Sequence, residues 1–102
     1  MPVLGLSKHS FKIGQQHNFK VFGDDLQNSV VTDMVTTVPP HLEWQNISTV
    51  GHSQNHVEIK ATLVQRQSAS VRDAVGDLTV TVTDTVTNQQ ATGTYTVTYT
   101  PA

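Results

Sequence analysis

Two stretches near the C-terminus place threonine at every second position. Leu78, Val80 and Val82 alternate with Thr79, Thr81 and Thr83, and Tyr95, Val97 and Tyr99 alternate with Thr94, Thr96, Thr98 and Thr100. Successive side chains of a strand point to opposite faces, so this period of two gathers the apolar residues on one side. A helix would scatter them. With Asn88-Gln89-Gln90-Ala91-Thr92-Gly93 between the runs, the pattern predicts a β-hairpin with a loop of several residues. Pro101, which lacks an N–H, ends it. Leu78, Val80, Val82, Tyr95, Val97 and Tyr99 form the expected core side. Threonine, with a β-branched stem and a hydroxyl, suits the outer side. Because Thr and Val share a shape, the register is weakly specified. Two readings of the Thr face stand: solvated, or covered by a partner or neighbouring subunit.

Other segments carry the same period. Val57, Ile59, Ala61 and Leu63 alternate with Glu58, Lys60 and Thr62, and Phe19 and Val21 flank Lys20 before the turn Gly23-Asp24-Asp25. Residues 30–38 are β-branched enough to be extended until Pro39-Pro40. Leu42 and Trp44 lead into Ile47 and Val50 as another strand or bent pair, followed by a polar loop over residues 51–55. Residues 66–75 hold at most one helical turn, since Ser68, Ser70 and Val71 are poor helix formers. About seven short antiparallel strands at this cadence predict an all-β sandwich.

A chain of 102 residues accommodates one domain, residues 1–102. Thr and Val, 15 of each, dominate it, and charged residues make up 14%. The net charge is −2, with Lys8, Lys12, Lys20, Lys60, Arg66 and Arg72 scattered, so no basic footprint for nucleic acid exists. There is no cysteine for a disulfide, a thiolate nucleophile or a Cys-ligated metal. No apolar run reaches the roughly 20 residues of a membrane span, and Met1-Pro2-Val3-Leu4-Gly5-Leu6 has no signal-peptide pattern.

Three stretches carry a family resemblance: Phe19-Lys20-Val21-Phe22-Gly23-Asp24-Asp25-Leu26, Val75-Gly76-Asp77-Leu78-Thr79-Val80-Thr81-Val82-Thr83, and Gly93-Thr94-Tyr95-Thr96-Val97-Thr98-Tyr99-Thr100-Pro101. The chain resembles the immunoglobulin-like β-sandwiches of bacteria and their phages, including the IPT/TIG type. That resemblance implies a sandwich of about seven antiparallel strands. It lacks the cysteines of an inter-sheet disulfide, and Leu78 stands where a tyrosine corner would.

Candidate chemistry is sparse. His52 and His56 have a spacing that brings two imidazoles together on a helix, but here it spans a loop entering a strand. Asp24, Asp25, Asp73 and Asp77 sit at loop ends, where calcium could gather oxygens, yet Asp is also a default turn former. Neither cofactor nor metal is expected. Ser53, His52 and Asp77 can be written as a triad, but without a Gly-x-Ser-x-Gly elbow or phosphate loop no enzyme is expected. Trp44 is expected between the sheets. The alternative, a sugar-stacking platform, competes with a core that has only Trp44, Tyr95, Tyr99, Phe11, Phe19 and Phe22 to draw on. Asn46-Ile47-Ser48 is a glycosylation sequon without an export signal.

Function then follows from context. A cysteine-free chain starting at Met1 without an export signal is expected to be a complete small protein that assembles onto something inside the cell. The resemblance implies a phage virion accessory protein, such as a capsid decoration or outer head protein, made in the host cytoplasm. It would bind the repeating surface of a major capsid protein through avidity, with or without homo-oligomerisation. Partner contacts are expected from Val3, Leu4 and Leu6, within residues 1–9 that form either a first strand or a docking arm, and from Thr94, Thr96 and Thr98. The alternative is a cell-surface adhesion or carbohydrate-binding module excised from a larger extracellular protein. Nucleic acid and membrane partners are not expected.

Overall fold

The computed structural model describes residues 3–66 and 72–101, with the backbone alone for Val3 and Leu4. Eight strands follow in order: β1 Val3–Leu6, β2 Ser10–Lys12, β3 Gln16–Gly23, β4 Ser29–Val35, β5 Leu42–Ser53, β6 His56–Gln65, β7 Ala74–Asp84 and β8 Gln90–Thr100. They form two four-stranded sheets, β1-β3-β6-β5 and β2-β8-β7-β4, around one core. The described residues include no helix. The turn expected within residues 66–75 lies largely outside the described residues; Ala74 and Val75 already belong to β7.

The strand count is eight rather than about seven because the N-terminal segment divides between the sheets. β1 runs antiparallel to β3, whereas β2 runs parallel to β8. The crossing between them is pinned at both ends: the Ser7 N–H donates to the Lys20 carbonyl at 2.9 Å and the Thr98 N–H to the His9 carbonyl at 2.8 Å. A second correction concerns residues 51–55, expected as a loop. β5 continues through Ser53, and only Gln54 and Asn55 turn. Their carbonyls accept N–H bonds from Leu26 (2.9 Å) and Gly23 (3.1 Å), so the neighbouring connection holds the hairpin closed to its tip. β5 is a single bent strand, with register shifts at Gln45/Ser48 and Thr49/Gly51. Asn46, at φ 54, takes the left-handed conformation that Asn tolerates better than most residues. Such bulges also blunt an edge strand against uncontrolled pairing.

The hairpin alternation is realised as expected, but the loop is residues 85–89, not 88–93: Gln90, Ala91, Thr92 and Gly93 already pair with β7 as part of β8. Leu78, Val80, Val82, Val97 and Tyr99 are buried and Tyr95 is half-buried. Phe11 sits at the centre of an aromatic cluster, edge-on to His17 (5.2 Å), Phe19 (5.3 Å) and Trp44 (5.2 Å). Trp44 lies between the sheets at 6% exposure, as anticipated. A polar relay crosses the core beside it: the Trp44 Nε1–H donates to Thr36 Oγ1 (3.0 Å), Thr36 and Tyr99 share a 2.6 Å hydroxyl bond, and the Tyr99 hydroxyl donates to the Asp77 carbonyl (2.7 Å). With Tyr99 committed as donor to a carbonyl, Thr36 must donate to Tyr99, and every proton has one place to go. Burial pushes the Tyr99 phenol up to about 12.

His17 is the other buried polar group of this region. Its Nε2 lies 2.8 Å from the Lys12 carbonyl, which can only accept, so Nε2 carries the proton and Nδ1 accepts from Lys8 Nζ at 3.1 Å. Burial lowers its pKa, opposed by the Lys12 carbonyl bond and reinforced by the Lys8 charge. The ring stays neutral and ties the β1–β2 crossing to β3.

Connections gather at two poles. The β3–β4, β5–β6 and β7–β8 connections lie together at one: Thr85 donates through N–H and hydroxyl to the Asn28 carbonyl (2.9 and 3.0 Å). Val3 pairs with Gly23 at this pole, whereas Thr100 pairs with Lys12 at the other. The described chain therefore enters and leaves at opposite ends of a body 43 Å long.

Candidate interaction face

The outer side of the sheet β2-β8-β7-β4 is built by register. Thr79 lies opposite Thr94, Thr81 opposite Thr92, and Asp77 opposite Thr96. The first two pairs join hydroxyl to hydroxyl, at 3.1 and 3.2 Å. β4 extends the array, with Thr32 bonded to Thr83 at 2.9 Å. On the other flank, β2 places Ser10 opposite Thr98 and Lys12 opposite Thr100. Cross-strand Thr pairs of this kind stabilise a sheet modestly, and each hydroxyl has met part of its hydrogen-bonding need within the chain. The γ-methyl groups, with the exposed side chains of Val75 opposite Thr98 and Val35 opposite Thr79, supply the apolar component of the face.

Three charged residues belong to this outer side among the described residues: Asp77, Asp33 and Lys12. Asp77 is already engaged. Its Oδ1 accepts the N–H groups of Thr37 (2.8 Å) and Val38 (2.9 Å), and its Oδ2 accepts the Thr37 hydroxyl. The Thr37 hydroxyl bond, then the backbone N–H bonds, lower its pKa below the usual carboxylate value. The segment it clamps presses on the neighbouring glycine: a Cβ on Gly76 would stand 1.9 Å from the Val38 carbonyl oxygen, so only glycine fits.

The hairpin register, weakly specified by shape, is fixed by its turn. Asp84 Oδ1 accepts from Val86 (2.8 Å) and Thr87 (3.0 Å), the Asp84 N–H donates to Gln89 (2.9 Å), and Asn88 adopts φ 61. These backbone bonds, the Thr87 bond foremost, lower the Asp84 pKa. Turn chemistry of this sort is the expected occupation of such aspartates.

Of the expected contact residues, Thr94 and Thr96 are exposed and Thr98 is half-buried, all on this face. Leu6 is 7% exposed and packs in the core of the other sheet, and the side chains of Val3 and Leu4 lie outside the described part. Leu6 is therefore not part of the surface that carries the threonines. Ser10, Lys12, Thr32 and Asp33 join the face without having been singled out from the sequence. The signal was present for β4: Val30-Val31-Thr32-Asp33-Met34 breaks strict alternation, which is how an extra residue in a bulged strand reads, and the register shifts between Val31 and Asp33.

The other candidate chemistry is dispersed. His52 and Ser53 belong to the opposite sheet from Asp77, so the written triad does not assemble. Ser53 instead meets His56 Nδ1 at 2.7 Å and Asn55 Oδ1 at 2.9 Å, a local cluster at a hairpin tip. No group of three or more His, Cys, Asp or Glu is placed to hold a metal ion among the described residues. A groove of about 280 Å³ opens between β4 and β5, with Met34, Leu42 and Trp44 at its floor and Asp33, Glu43 and Arg66 at its rim. Arg66 is partly occupied there, donating to the Pro40 carbonyl at 2.6 Å. Compared with known family models, curated proteins and solved structures, the chain matches none.

Proposed function

We propose that this chain is an immunoglobulin-like sandwich acting as a non-catalytic assembly module, whose threonine-bearing sheet is covered by protein in its working state. The fold half is supported by strand order. β1-β3-β6-β5 follows the A-B-E-D arrangement and β4-β7-β8 the C-F-G arrangement of that family, with β2 as the second part of a divided first strand. A phage virion accessory protein, seated on a repeating capsid surface, is the setting that the family resemblance favours.

The observation that carries the functional half is the hydroxyl pairing across β7, β8 and β4 on a face with so few charges. Covering a surface removes water from every polar group on it, and unpaired charges are the costly ones. Here six of the hydroxyls bond in three pairs, Thr79–Thr94, Thr81–Thr92 and Thr32–Thr83, and Asp77 is satisfied by Thr37 and Val38, which leaves Lys12 and Asp33 as the charges to desolvate. Little has to be desolvated. Carbohydrate binding gains less support, since Trp44 is buried and Phe22, at 42% exposure, stands apart from the other aromatics.

Second to this reading is the adhesion module, favoured by one observation: entry and exit at opposite poles suit beads in a row. The absence of native cysteine gives a clean test of the first reading. Thr96→Cys and, on the other outer face, Asn18→Cys each introduce a single thiol for maleimide labelling in the cell that makes the protein. Protection of position 96 with free reaction at 18 is expected. Equal labelling at both overturns the covered-face reading.

A further inference from the structure

We infer that the protein covering the threonine face is a second copy of this chain, packed sheet to sheet about a two-fold axis. This rests on the covered-face reading above and names its partner. Lys12 and Asp33 occupy opposite corners of the face. Lys12 lies on β2, opposite Thr100, and Asp33 lies on β4, opposite Thr81, which itself faces Thr92. They are thus separated by the full width of the sheet and by most of the length of β8. A two-fold axis in the plane of contact that sets Lys12 of one copy on Asp33 of the other runs past Thr96, near the centre of the face. The same operation makes the reciprocal pair. Charges on adjacent strands would have forced the axis to one side and left most of the face uncovered.

Size and chemistry point to a weak pairing of this kind. Strands of 3, 11, 11 and 7 residues at about 4.8 Å spacing and about 3.3 Å per residue give a face of roughly 500 Å². That is below the ~800 Å² each partner contributes to a stable interface and suits a concentration-dependent dimer. An isologous contact needs a self-complementary surface: Lys12 and Asp33 supply one charge of each sign at the corners, and Asp77, beside the axis opposite Thr96, has both carboxylate oxygens engaged by Thr37 and Val38.

Light scattering and sedimentation of the purified chain test the inference. A dimer is expected, with Thr96→Arg at the centre monomeric. Lys12→Asp and Asp33→Lys should each weaken dimerisation by about tenfold or more, and the double exchange should recover most of it, because only the exchange restores opposite charges at both corners. Circular dichroism melts of the single variants show whether they fold; both positions are exposed, so wild-type-like melting is expected. A monomer at every concentration up to about 1 mM overturns the inference, as does a dimer indifferent to both single changes. Monomeric purified protein together with a protected Thr96→Cys in the cell would discard the second copy and keep the covered face. A reactive Thr96→Cys discards both.

Discussion

The two outer faces of this molecule share a strand geometry and differ in chemistry. On the sheet β1-β3-β6-β5, Lys20 lies opposite Glu58, Asn18 opposite Lys60, and Phe22 opposite His56, while Glu43 and Gln45 project from the edge. On the sheet β2-β8-β7-β4, the corresponding rows are Thr79 with Thr94 and Thr81 with Thr92. The first face has hydrated charges that resist removal from water. The second has hydroxyls that bond across strands. Both faces are compatible with solvent, but only the second can be covered at little cost. The difference teaches that a solvent-side strand pattern, apolar alternating with polar, does not by itself say whether that side stays wet.

The largest expected effect tests what the faces share, the interior. Gly76→Val drives a side chain into the Val38 carbonyl and should cost about 3 kcal/mol or more, read by urea unfolding; a smaller loss would mean that the β4–β5 connection yields easily. Thr36→Val comes next. It strands the Trp44 N–H from one sheet and removes the hydroxyl that bonds Tyr99 of the other, for an expected loss of about 1–3 kcal/mol. Tyr99→Phe keeps the ring and should cost less.

Acid should then separate the two sheets. The folded His17 pKa is lowered, so the unfolded chain binds its proton first. Stability from His17 is complete above 6.5, the ordinary value, and falls as the pH drops from there through the folded pKa. Asp77 and Asp84 are depressed, so their contribution is present above 3.8 and lost as the pH falls through their lower folded values. Thermal melting from pH 8 downward should show an early decline that His17→Gln removes and a late one that Asp77→Asn reduces. An early decline unchanged by His17→Gln would assign it elsewhere.

The smallest effects sharpen the contrast of the faces directly. Lys20→Ser breaks a cross-strand opposite-charge pairing and should cost about 0.2–1 kcal/mol, less at high salt. Thr81→Val should lie within about 0.5 kcal/mol of wild type, at any salt concentration. If both variants responded to salt alike, the chemical distinction drawn between the faces would fail.

Much of this was legible in the sequence because period-two alternation is a local property. Leu78 to Tyr99 could be assigned to inner and outer sides from their spacing, and Trp44 to the core from its size. What could not be read depended on contacts between distant segments. Nothing local in Ser7-Lys8-His9 says that the chain changes sheet there; it does so because Lys20 and Thr98 lie ready to bond it from either side. Asp77 looked like a loop-end carboxylate, and its role became visible only once Thr37 and Val38 were beside it. Lys12 carried no motif at all. Its place at a corner of the threonine face is a consequence of β2 pairing parallel to β8.

That parallel pairing, together with entry and exit at opposite poles, also decides how the molecule answers a pull. Tension applied through its two ends draws β2 toward one pole and β8 toward the other, so the strands are asked to slide along each other. Ladder bonds from Ser10 to Lys12 are then loaded together in shear, instead of opening one after another as in a zipper. A short strand of three residues thereby shares the load with β1, which pairs with β3 and meets the pull first.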